Sequence, residues 1–111
     1  MTAGPSAEQR TDDPIPALIA AAFDSTRRYP EHERFVEIDK LLREEIERLQ
    51  IIARRMADRT PHRSYDWYRL VNAVDRADDA CGFQLGTTLQ AALQVSELAR
   101  RVAELRQVTA P

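Results

Sequence analysis

The densest run of side chains able to hold an anion or an acidic partner lies between Arg54 and Arg69, RRMADRTPHRSYDWYR. Arg54, Arg55, Arg59, Arg63 and Arg69 alternate there with His62, Tyr65, Trp67 and Tyr68. Guanidinium groups are planar, permanently charged and fork-shaped, so they take carboxylates and phosphates two bonds at a time and stack on aromatic faces. Arg55, Arg59, His62, Arg63, Tyr65 and Tyr68 are therefore the candidate binding residues, for an anionic group, a nucleotide base or a partner's acidic segment. A plainer account competes with this one. Trp67 would belong to the core, the tyrosines would cover a corner between helices, and the arginines would be ordinary surface. Lys40 is the sole lysine of the chain, so arginine replaces lysine throughout, as codon bias in a GC-rich genome would produce.

Other chemistry is thinner. Cys81 lies on an apolar helical face beside Ala77 and Ala80, while Asp78 and Asp79 oppose a thiolate; a catalytic thiol needs an electropositive, accessible setting and a histidine. It reads as a structural cysteine. Being the lone cysteine, it forms no intrachain disulfide and no cysteine-based metal site. His32 opens a helix, where it suits an exposed position better than a base. The acidic cluster Glu44, Glu45 and Glu47 resolves mostly into ion pairs at i,i+4, Asp39–Arg43 and Glu44–Arg48. Glu45 stands apart at a seam position, where a polar residue can select a register or an oligomeric state. A carboxylate-bridged metal site would need Glu-x-x-His on facing helices, and Asp75, Asp78 and Asp79 lack the glycine turn of a calcium loop. No catalytic residue, metal or cofactor is expected.

These groups must be positioned by helices, because nothing in the chain alternates with period two. The stretch Glu31–Arg59 has no glycine and no proline. In heptads from Phe35, Phe35, Leu42, Leu49 and Met56 share one position, and Ile38, Glu45 and Ile52 the other. A shorter helix precedes it, with Asp13 as N-cap, Pro14 in the first turn, and Ile15, Leu18, Ile19, Ala22 and Phe23 inward. Ser64 caps a third helix that carries Trp67, Leu70, Val71, Val74, Ala77 and Cys81, and Gly82 supplies a left-handed stop. A fourth helix from Thr87 turns Leu89, Ala92, Val95, Leu98, Ala99, Val102 and Leu105 inward and keeps Gln90, Gln94, Glu97, Arg101 and Glu104 on a polar arc. The expected fold is all-α: a small antiparallel bundle of three main helices plus a short N-terminal one, near 15–28, 31–59, 65–81 and 87–108. Residues 1–13, polar and without periodicity, form a disordered tail; residues 14–111 form a single domain.

At 111 residues and a formal charge of −2, there is room for one core, and no basic excess invites nucleic acid. No apolar run reaches the ~18 residues of a membrane span, and the N-terminus lacks a signal pattern; the expected location is the cytoplasm. The motifs KLLREEIERLQIIARRM, DRADDACG and SELARRVAEL together resemble a family of short actinobacterial proteins of unknown function, often found with natural-product biosynthesis genes. That resemblance spans most of Ile15–Val108 and implies an all-helical chain with no catalytic residues to transfer.

Three function classes follow. The leading one is a non-enzymatic interaction or accessory protein, acting through protein–protein contacts. A DNA-associated regulator would use the arginine corner, but its reading helix would have only Thr87, Thr88 and Gln90 to offer. A small helical enzyme of chorismate-mutase type would need a downstream lysine, and Lys40 lies too early. A homodimer is expected from lengths: the long helix spans roughly 43 Å and the third only about 27 Å. Leu41, Ile51 and Leu93 then lie off the main stripes, where a second copy would cover them.

Overall fold

The computed structural model describes residues 13–111. Most of the expected tail, residues 1–12, lies outside them. Four helices follow in order: α1 (Ile15–Arg28), α2 (His32–Asp58), α3 (Tyr65–Cys81) and α4 (Thr88–Thr109). Their starts follow local chemistry. Pro14, and not the expected Asp13, stands at the N-cap of α1, though Asp13 Oδ1 still accepts from the Ile15 N–H at 3.1 Å and satisfies one orphan donor. Ser64 Oγ accepts from the Trp67 N–H at 3.2 Å. Thr87 and Gln90 form a reciprocal capping box at the head of α4. Gln90 folds back so closely over Gly86 that a Cβ there would stand 2.1 Å from its Oε1.

α4 is the hub. Like α2 it touches each of the other three helices, but it alone packs α1 along its length, whereas α1 and α3 do not meet. Named bonds give the directions. Arg106 reaches Asp13 while Ser96 reaches Ala22, so α1 and α4 run antiparallel. Arg76 pairs with Glu104 while Gln94 bonds Ala80, so α3 and α4 do too. Arg43 meets Cys81 and Gln50 meets Val74, which sets α2 against α3. α2 and α4 are thus a parallel central pair, with α3 in the groove between them. α1 leans on α4 and meets α2 only narrowly.

The core joins Phe35, Ile38, Leu42, Ile46 and Leu49 of α2 to Val95, Leu98, Val102 and Leu105 of α4. Ala73, Ala77, Ala91, Ala92 and Ala99 are at most 1% exposed and let the helices approach closely. Buried polar groups tie neighbour to neighbour. Ser96 Oγ donates to the Ala22 carbonyl at 3.2 Å, and Gln50 Nε2 donates to Val74 O at 3.1 Å and Asp78 Oδ1 at 2.7 Å.

Several residues depart from the sequence expectation. Gly82 has φ −71°, so no left-handed stop ends α3. Instead Arg43 donates to the carbonyls of Cys81 and Phe83, and Gln94 to those of Ala80 and Phe83. Gln94 is accordingly buried and not on the polar arc. Leu89 and Phe23, expected inward, are 54% and 40% exposed, because each lies on the flank of its helix turned from α4 or α1. Ile52 and Met56 are only half-buried, because the start of α1 reaches α2 no further along than Leu41 to Arg48. Asp39–Arg43 forms as expected at 3.0 Å, but Arg48 pairs with Glu45 at 2.6 Å in place of Glu44.

Candidate functional site

The corner between α2 and α3 carries the six candidate residues, and all six are exposed. α2 supplies Arg55 on its last turns, and Arg59 follows as its C-cap. His62 and Arg63 lie in the turn; Tyr65 and Tyr68 stand on the first turn of α3. Arg63 adopts φ 66°, a left-handed conformation uncommon for a long side chain. Trp67 is the pivot: half-buried against the core, it meets the His62 ring at 4.6 Å and the Tyr68 ring edge-on at 5.0 Å. Arg69 lies 6.0 Å from the Tyr65 ring centroid and 3.5 Å from Asp66, and Arg54 is 3.8 Å from Asp78. The tyrosines and His62 are thus organised by Trp67 and Arg69, while Arg55, Arg59 and Arg63 extend from the turn into solvent.

Cys81 is half-buried, and burial pushes its thiol above the ordinary range, with Asp78 and Asp39 adding to the rise against Arg43. A nucleophilic thiol requires the opposite shift. It lines an open cleft of about 540 Å³ between α2 and α3, beside Asp39, Arg43, Glu47, Gln50 and Asp78. Arg43, Gln50 and Asp78 are occupied there in holding helices together. Among the described residues no group of three or more His, Cys, Asp or Glu side chains is placed to hold a metal ion. At the head of α4, Thr87 and Gln90 bond each other's backbone and so are engaged in capping.

Two sets of residues take on more than the sequence assigned them. Glu45 is 8% exposed and takes both Arg48 nitrogens, at 3.0 and 2.6 Å; that bond raises the affinity of Arg48 for its proton. Its place among apolar heptad positions was the available signal. Phe83, Leu89 and Leu93, 66%, 54% and 57% exposed, gather where the α3–α4 link meets α4. Phe83 and Leu93 share a shallow groove of about 470 Å³ with Gln84, Gln90 and Glu97.

These four helices, without a strand among the described residues, define a small all-α bundle. Within that class, the chain belongs to a family of unknown function, DUF6415, whose model matches residues 13–110. No curated protein and no solved structure matches it. No helix among the described residues is long and apolar enough to cross a membrane.

Proposed function

We propose that the chain is a non-enzymatic interaction protein of the cytoplasm, acting through protein–protein contacts, with a second copy of itself among its partners. The observation that carries this reading is apolar surface the fold does not use. Leu41 and Ile51 on α2 are 39% and 45% exposed, and Leu89 and Leu93 on α4 exceed half. Each lies outside the contacts by which the four helices bury their core. Large apolar side chains grouped on a surface mark places where other proteins sit. The arginine corner adds charge selection, favouring an acidic segment on the partner that approaches from that end.

Affinity capture from the native host, read by mass spectrometry, tests the reading when run on matched variants. L89S/L93S should keep the helical circular dichroism and lose proteins that the unchanged chain retains. Substituting Arg55, Arg59 and Arg63 together by Ser should weaken capture with little change in melting temperature, since exposed arginines add little stability. Identical capture by all three chains, together with a solution mass of 12.7 kDa, overturns it.

A further inference from the structure

We propose that two copies pair through the solvent face of α2, antiparallel about a two-fold axis at position 46. That register sets the exposed charges of the face against their opposites. The inference rests on the reading that the chain associates with itself, and adds the face and the alignment.

The outer face of α2 consists of two rows at heptad spacing, one through Leu41, Arg48 and Arg55, the other through Glu37, Glu44 and Ile51. All six are exposed. In an antiparallel helix pair, each member of one row meets a member of the other row on the second copy. With the axis at position 46, Leu41 meets Ile51, Glu44 meets Arg48, and Glu37 meets Arg55, each twice by symmetry. The same alignment brings Arg34 to Asp58, so the pairing runs nearly the full length of the helix. Arg48 keeps Glu45 as its intrachain partner, yet its side chain is 58% exposed and has donors left for a second carboxylate.

The distribution of charge selects the antiparallel sense. Between Glu31 and Glu47 seven acidic residues stand against three basic ones; between Arg48 and Arg59 four arginines stand against Asp58. Parallel copies would set acid on acid and base on base. This order of signs also complements the helix dipole, but the dipole asks nothing of Leu41 and Ile51, which lie in the same stripe. Among the described residues the face remains exposed, because α1 leans on α4 and only its first turns border Leu41, Glu44 and Arg48 along one edge. A seam with one apolar pair, used twice, makes a salt-sensitive contact, so the dimer should loosen as ionic strength rises.

Site-directed cross-linking tests the register. L41C and I51C are made separately in a C81S background, mixed, and oxidised gently. In the proposed alignment Leu41 faces Ile51 across the seam, whereas two copies of either position stand about 15 Å apart, beyond the reach of a disulfide. A disulfide-linked dimer should therefore form in the mixture and not with either variant alone. Charge reversal is the second measurement: E37R or R55E should each weaken dimerisation about tenfold, and E37R/R55E should restore it, with unchanged circular dichroism. If light scattering gives a dimer but neither result appears, the register is wrong while self-association stands. A mass of 12.7 kDa at every concentration overturns both, and leaves the face to a different protein.

Discussion

Single residues on this chain are governed by how far burial competes with charge. Glu45 stays in a nearly closed position because Arg48 meets it with two bonds; a buried carboxylate without such a partner would be costly. Cys81 shows the other side of the competition. Its thiol is pushed up by burial, so the native state favours the neutral form. Below about pH 8.5, the ordinary thiol value, both native and unfolded chains keep the proton and the group has no effect on stability. As pH rises past that point the unfolded chain ionises first, so stability should decline until the native thiol ionises as well. Urea titrations from pH 7 to 10 should show this decline, and C81S should flatten that component of it. In the native protein Cys81 should also react with an alkylating agent more slowly than a free thiol at the same pH. The seam position of Glu45 and the acidic neighbours of Cys81 were both legible in the sequence. The partner that closes on Glu45 was not, since Arg48 at i+3 and Glu44 at i−4 of that arginine are equally good local geometries, and only burial of one carboxylate separates them.

At the scale of elements, the helices begin by local rules and end by tertiary ones. Ser64 and Thr87 cap α3 and α4 through their own first turns, and Asp13, just before the Pro14 N-cap, bonds the Ile15 N–H; such bonds need nothing beyond a few neighbouring residues. The end of α3 is different. Its last carbonyls are held by Arg43 from α2 and Gln94 from α4, a pairing with sequence separations no local pattern contains. Q94A should destabilise the fold by about 1–3 kcal/mol, the usual cost of stranding a buried acceptor, here the Ala80 carbonyl, and R43A by less, because the carbonyls it holds are partly or wholly exposed. Chemical denaturation gives the magnitude, and amide exchange should quicken first at the C-terminal turn of α3 and in the link that follows. An unchanged α3 end in R43A would show that Gly82, and not the side chains, terminates the helix.

For the molecule as a whole, α4 decides the arrangement. Leu98, fully buried at its centre, lies on a helix that, like α2, touches all three others, so L98A should cost about 3 kcal/mol. That is a large share of the 5–15 kcal/mol typical of a domain. Thermal unfolding followed by circular dichroism should show it as a single transition at lower temperature; loss of one helix with the rest intact would mean that α4 is not the hub. The connections also place α1's end, Phe83 and the head of α4 at one end of the bundle, opposite the α2–α3 corner. Phe83, Leu89 and Leu93 thus stand at the opposite end from the arginine–aromatic corner.

The sequence by itself determined four helices with nearly their observed bounds, because heptad spacing, N-caps and proline positions act within a turn or two. It also marked Leu41, Ile51 and Leu93 as apolar residues without a place in the core, and all three are exposed. Only the tertiary structure decided that α4 shares the centre of the bundle with the longer α2. Both helices carry apolar stripes, and periodicity measures how wide a stripe is without saying how many neighbours share it. The same reason explains Gln94 and Leu89. A glutamine on a wide apolar face is read as polar surface until a neighbouring carbonyl comes within reach, and a leucine at the head of a helix is read as core until no helix arrives to cover it.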